Sequence, residues 1–337
     1  MKKKIFIIDS TLRDGSHAMR HQFTKEHIIN YTRGAQRAGI KLIIVGHGNG
    51  LGASSLHLGK SRLTDEEMLS IARKELKKTK LGAFLIPGFG TIKNDLKPAI
   101  ELGIDSLMVA SHCTEANITR QHIQYAREKG LDTYGVLMMS HMIPGKELLE
   151  QALKMQKYGA IGIILMDSAG AYLPDQVEEK VKILVNSLEI NVGFHSHNNL
   201  GMAIANAVAA VKAGANIIDG TSRGFGAGAG NCQLEVIVAV LNKMGIETGL
   251  DLYTMMDNSD KIIASIMKKA QAINSITLTS GLAGVFSGFA PLAENAAKRF
   301  NVDVRDIFME LGRMKVVAGQ EDIIIDVAMK LSKRLKQ

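Results

Sequence analysis

Two histidines stand two residues apart in "GFHSHNN" (193–199), inside an apolar run. In a β-strand, residues i and i+2 share a face, so His195 and His197 would present two imidazoles side by side. That is half of a metal site, although two unrelated polar residues near a strand end would look the same. A second stretch, "TLRDGSH" (11–17), packs Arg13, Asp14 and His17 together. One carboxylate at Asp14 with the two imidazoles leaves open positions. That suits an octahedral divalent ion which still binds water or substrate. Manganese or magnesium fits this donor set better than structural zinc, since no thiolate is implied. The plainer alternative is that Asp14 only pairs with Arg13 or caps a turn.

These residues need a scaffold, and the chain is long enough to build one. It has 337 residues, 46% hydrophobic and 22% charged, which is the balance of a globular protein. It has no tryptophan and only 5% aromatic residues, so bases would find few stacking platforms. The formal charge is +8, but the basic residues are spread out and densest only at the ends, "MKKK" and "KLSKRLKQ". A weak pull on anionic substrates fits this better than nucleic-acid binding. Cys113 and Cys232 are far apart and not in a CxxC spacing, which fits a reducing compartment. The start of the chain lacks a signal-peptide pattern, and no apolar run is long enough to span a bilayer. A cytoplasmic protein is the expectation.

Short apolar runs recur at 4–9, 41–46, 81–87, 106–111, 133–140, 161–168, 191–197 and 216–222. They are rich in Ile, Val, Leu and Met and do not alternate, as expected of parallel strands buried on both faces. A glycine precedes most of them, as in "RAGIKL" and "KAGANI", and reads as a helix C-cap. Helix starts are expected after Thr24 and Thr64 and at Pro174. Eight strand–helix units predict an α/β fold, a TIM (β/α)8 barrel, over an open doubly wound sheet. The first strand also lacks a nucleotide loop after it. Past residue 255 the strand signals fade. "GLAGVFSGFAPLAENAAKRF", "VRDIFMELGRM" and "IIIDVAMKLSKRL" read as helices, the last with Ile324, Val327, Ala328, Leu331 and Leu335 in register. The expected units are a barrel at 1–255 and a small C-terminal helical domain at 256–337.

A TIM barrel carries its chemistry at the C-terminal ends of its strands. Those ends collect Asp9, Arg13, Asp14, His17, His47, His112, His141, Asp167, Ser168, His195, His197, Asp219 and Arg223. So many histidines on one rim support both the barrel and a polar site there. The loop "GFGAGAGN" (224–231) does not match a GxGxxG fingerprint. It reads as a tight turn, with backbone amides facing an anionic group as the alternative. Asn198 and Asn199 either fix the imidazoles or are solvated loop amides. Met138, Met139 and Met142 read as core fillers.

"DSTLRDGSHAMRHQ", "SHCTEANITRQHIQYAREKGLDTYGVLMMSHMIP", "FHSHNNLG" and "GFGAGAGNCQLEV" resemble the 4-hydroxy-2-oxovalerate aldolases. "LRDG" with "HxH" alone marks only the wider TIM-barrel group that includes acyl-CoA lyases and condensing enzymes. "RDGSHA", "SHCTEA" and "MMSHM" are more specific, and the likeness runs to "AGQEDIIIDVA" near the end. The resemblance implies a reversible, metal-dependent retro-aldol cleavage of a 4-hydroxy-2-oxo acid to pyruvate and an aldehyde. It implies Asp14, His195 and His197 as ligands of Mn2+, with Mg2+ or Co2+ as alternatives. It implies Arg13 on the enolate oxygen and His17 as the base. Ser168, His195 and the position of Phe286 would orient the substrate. It further implies an acylating aldehyde dehydrogenase docked on the C-terminal domain and a setting in aromatic hydrocarbon catabolism, and it allows a homodimer. Three positions depart from the family pattern. Ile44 stands where the family has glutamate, Asn49 where it has aspartate, and Phe286 where it has tyrosine. The competing expectations are an acyl-CoA condensing or lyase enzyme and a weakened structural partner of a dehydrogenase.

Overall fold

The computed structural model describes residues 4–317 and 319–334. Leu335 and the outermost residues of both basic ends lie outside the described residues. Eight parallel strands close into a barrel in chain order. They are β1 (Phe6–Asp9), β2 (Leu42–Ile44), β3 (Lys80–Leu85), β4 (Ser106–His112), β5 (Asp132–Met138), β6 (Gly162–Asp167), β7 (Asn191–Ser196) and β8 (Ile217–Gly220). Each coincides with one of the apolar runs. The closing pair, β1 with β8, sets Ile8 opposite Asp219.

The first helices are α1 (Thr11–Ala18), α2 (Lys25–Arg37), α3 (Asp65–Glu75), α4 (Lys97–Glu101) and α5 (Arg120–Glu128). They continue with α6 (Gly145–Lys157), α7 (Pro174–Ser187), α8 (Ala203–Ala213) and α9 (Leu234–Lys243). Thr24 and Thr64 cap α2 and α3 with reciprocal capping boxes, and Pro174 opens α7. The predicted C-cap glycines Gly39, Gly103, Gly130, Gly159 and Gly214 all have positive φ, which only glycine adopts without strain. The unexpected helix is α1, which forms directly after β1 without a side-chain cap. Gly15 in its middle is needed for packing, because a Cβ there would lie 2.7 Å from Phe225 Cδ1.

The barrel interior is filled by Ile8, Leu42, Ile44, Phe84, Met108, Val136, Ile164 and Met166. A larger apolar layer lies between strands and helices and takes up the rest of the barrel core. Ile44 is fully buried, and its Cδ1 occupies the space that a Cβ on Gly82 would need.

The chain then continues through α10 (Leu252–Asn258), a π turn (Ser259–Ile263) and α11 (Ala264–Ile266). Met255, Ile263 and Ile266 join the barrel's core. We infer from this packing that the division between units falls at 267–274, later than the expected residue 255. Beyond it lie α12 (Ser275–Ala283), α13 (Ala290–Phe300), α14 (Val304–Arg313) and α15 (Ile323–Arg334). They share a separate core of Phe289, Ala293, Phe308, Leu311, Ile324 and Val327. No helix among the described residues is long and apolar enough to cross a membrane. Both cysteines are buried free thiols.

Candidate metal and aldolase site

His195 in β7 and His197 just past its end turn their rings together, and α1 brings Asp14 to them across the mouth of the barrel. His195 Nε2 lies 3.7 Å and His197 Nε2 3.9 Å from Asp14 Oδ2. The two Nε2 atoms are 3.3 Å apart. One ligand atom from each of the three residues falls within a 4.8 Å cluster. All three residues are buried.

The strand register completes the arrangement. His195 sits opposite Asp219 of β8, and its Nδ1 is 2.8 Å from Asp219 Oδ2. A carboxylate only accepts, so Nδ1 carries the proton and Nε2 is left with its lone pair. This is how metal-binding histidines are usually oriented. Asp219 has the place suggested for Asn198 and Asn199, whose side chains hydrogen-bond elsewhere. Asn198 instead caps Ala203 N, and Asn199 is fully buried in a network described below. The donors present fit a divalent ion: two imidazole nitrogens and a carboxylate oxygen converge, and His197 Nδ1 has no partner.

Arg13 is buried beside this cluster. Its Nη1 donates to Asp14 Oδ2 at 2.6 Å, so the pairing with Arg13 and the approach to the imidazoles occur together. The guanidinium lies 4.6 Å from the centre of the Phe84 ring. Its Nε and Nη2 have no partner, which leaves two donors open to an anion. Burial alone would raise the Asp14 carboxyl, but Arg13, His197, His17 and His195 reverse this and hold it well below the usual range. Burial lowers His197 to about 4, against the pull of Asp14, so it is a neutral donor near pH 7.

His17 lies on α1, one turn beyond Arg13 and half-buried. Burial pushes its pKa down; Asp14 opposes this and Arg13 adds to it. A neutral imidazole here can accept a proton. Behind it, His21 stacks on His47 at 3.6 Å with only 14° between the planes, and the His17 ring meets His21 edge-on at 5.4 Å. His47 Nε2 lies 3.1 Å from the Gly59 carbonyl, while its Nδ1 accepts from Asn49 N at 3.1 Å. His21 is held in the left-handed region, at φ 60. The sequence reading placed His47 on the rim but did not single out His21. Its only sequence signal is its place four residues after His17.

Gly48 makes room for His17, since a Cβ there would lie 2.4 Å from His17 Nε2. Gly48→Ala is therefore expected to displace this ring and lower kcat about 10²-fold. Steady-state kinetics beside a thermal melt that stays near the parent's will check it.

Ser168 and Phe286 stand apart from the cluster. Ser168 is buried, and its Oγ accepts from Met139 N at 3.1 Å. Met139 is itself left-handed, at φ 54, in a loop tied down by Lys180, whose Nζ donates to the carbonyls of Ser140, His141 and Ile143. Phe286 packs edge-on against Phe289, 5.8 Å between centres. The C-terminal unit touches the rim nearby, where His141 Nε2 lies 3.1 Å from the Gly284 carbonyl.

Residues 4–262 match the HMGL-like family, and residues 271–333 match the DmpG-like communication domain. The chain is 55% identical over 334 residues to the 4-hydroxy-2-oxovalerate aldolase of Pectobacterium atrosepticum, covering 99% of this chain and 97% of that one. The chain belongs to the 4-hydroxy-2-oxovalerate aldolase family. Another member, from Carboxydothermus hydrogenoformans, is 50% identical over the full length of both chains. The fold extends further than the family. The carboxyl transferase domain of Rhizobium etli pyruvate carboxylase superposes with a TM-score of 0.83 at 18% identity, covering 99% of this chain and 61% of that one. The N-terminal domain of a Bacteroides vulgatus putative aldolase gives 0.73 at 23% identity, covering 89% and 99%. These two likenesses concern the fold alone.

Proposed function

We propose that this member of the aldolase family cleaves 4-hydroxy-2-oxo acids of the 4-hydroxy-2-oxovalerate kind, reversibly, to pyruvate and an aldehyde. The observation that carries the reading is the buried convergence of Asp14, His195 and His197 beside the open donors of Arg13. Asp14, His195 and His197 would hold a divalent ion, manganese before magnesium or cobalt. Bound there, the ion would polarise the substrate's keto oxygen and share the charge that develops on it.

The chain's own groups supply the rest. Arg13 directs Nε and Nη2 at the oxygen that becomes the enolate, in a site with little water to screen the charge. His17 takes the proton of the C4 hydroxyl on a ring nitrogen. The C3–C4 bond then breaks. Its electron pair forms the C2=C3 double bond as the keto π pair moves onto the C2 oxygen to give the enolate, and C4 leaves as the aldehyde carbonyl. Return of the proton held by His17, by way of solvent, to C3 gives pyruvate and restores the base. In reverse, the same groups add pyruvate to an aldehyde. The family resemblance assigns Ser168 and the position of Phe286 to orienting the substrate. Ile44 and Phe286 are apolar where the family pattern has a carboxylate and a phenol, and we assign to them a change in the aldehyde accepted.

The communication-domain match supports docking of an acylating aldehyde dehydrogenase that receives the aldehyde. Leu278 and Leu282 of α12, 47% and 69% exposed, give that unit an apolar surface.

The test is pyruvate release from 4-hydroxy-2-oxopentanoate and longer homologues, coupled to lactate dehydrogenase. EDTA-stripped protein should be inactive, and Mn2+ should restore release. No release with any substrate or metal overturns the reading. Turnover of acyl-CoA with a 2-oxo acid would then reassign the chain to condensing chemistry.

A further inference from the structure

The glycine-rich loop 224–231 does not end in a simple turn. Ala227 N donates to Asp14 Oδ1 at 2.9 Å. The loop lies so close that a Cβ on Gly226 would sit 2.5 Å from the same oxygen. Two residues on, Ala229 N donates to Asn199 Oδ1 at 2.9 Å. The Asn199 amide donates in turn to the Ala169 carbonyl at 2.9 Å and to Ser287 Oγ at 2.7 Å. Ser287 Oγ itself donates to the Ser168 carbonyl at 3.4 Å. Gly228, at φ +62, fits between these groups: a Cβ would lie 2.6 Å from Asn199 Oδ1 and 2.9 Å from Ser287 Oγ. Asp14, Asn199 and Ser287 are all buried.

We infer that Asn199 and Ser287 are positioning residues for the carboxylate of Asp14. Asp14 has two oxygens, and the loop decides how they are used. With Oδ1 held by Ala227, Oδ2 is the oxygen that faces His195 and His197. The loop is held by Asn199, and Asn199 by Ser287 of the C-terminal unit. Removing the far end of this chain loosens the loop and lets the carboxylate rotate away from the imidazoles. The C-terminal unit thus contributes to the metal site without supplying a ligand. The inference rests on the metal reading proposed above.

The experiment is manganese titration of the full-length chain by calorimetry, without substrate. Asn199→Ala should raise the manganese Kd about tenfold, and Ser287→Ala about threefold, in the manner of residues that support a ligand. Val327→Ala weakens the core of the C-terminal unit without touching the chain of contacts, and should bind manganese as the parent does. Parental affinity in Ser287→Ala overturns the inference, as does an equal loss in Val327→Ala. If Asn199→Ala does not fold by circular dichroism, Ser287→Ala decides. A parent that binds manganese tightly but releases no pyruvate refutes the proposed reaction and leaves this inference standing. A parent that binds no manganese overturns both.

Discussion

His195→Ala is expected to abolish metal-dependent turnover, a loss of about 10³-fold or more, while the barrel stays folded. His195 is one of three converging donors, and its ring also gives Asp219 a hydrogen-bond partner through the 2.8 Å contact. Alanine removes a ligand atom and leaves Asp219 buried without its imidazole. The second effect destabilises by about 1–3 kcal/mol, which is small beside the 5–15 kcal/mol typical of a folded domain. Manganese titration with circular dichroism separates the two effects. Unchanged manganese affinity would refute the ligand set.

His17→Ala should differ in kind. Carbon–carbon cleavage should slow by about 10²- to 10⁴-fold while manganese affinity stays at the parent's value. The pH dependence makes the distinction sharper. A base works in its unprotonated form, so activity falls as pH drops through its pKa. Burial moves the His17 pKa below the ordinary histidine value of 6.5. The midpoint of the parent's acid limb should therefore lie below pH 6.5. In His17→Ala that acid limb should disappear. An identical profile in parent and variant would assign the base elsewhere.

Much of this site is visible in the order of residues. The strands announce themselves because a strand covered on both faces has few polar positions before its end, and the helix ends because left-handed C-caps select glycine. The candidate metal triad follows from the two-residue spacing of His195 and His197 at the end of β7 and from the rule that strand ends carry the chemistry. What remains hidden depends on register between distant segments. Asp219 stands in the sequence at the end of β8, but only the β7–β8 alignment sets it opposite His195. Asn199 looks like a loop amide because its partners, Ala229 and Ser287, are 30 and 88 residues away. The His21–His47 stack depends on a left-handed turn that no glycine marks. The unit boundary is blurred for a similar reason: α10 and α11 resemble the later helices in pattern, yet they pack on the barrel.

Arg13 carries one more consequence. Its guanidinium is held away from water, Nη1 paired with Asp14 but Nε and Nη2 unanswered, and Ile44 stands where the family pattern has a carboxylate. Buried donors in that condition weaken the protein, and an anion that takes up Nε and Nη2 relieves them. The resting fold is therefore less stable than its packing alone would make it, and ligand binding recovers the difference. Selection for a tougher barrel would act against this residue and selection for turnover would keep it. Arg13 is a point at which endurance and activity pull in opposite directions.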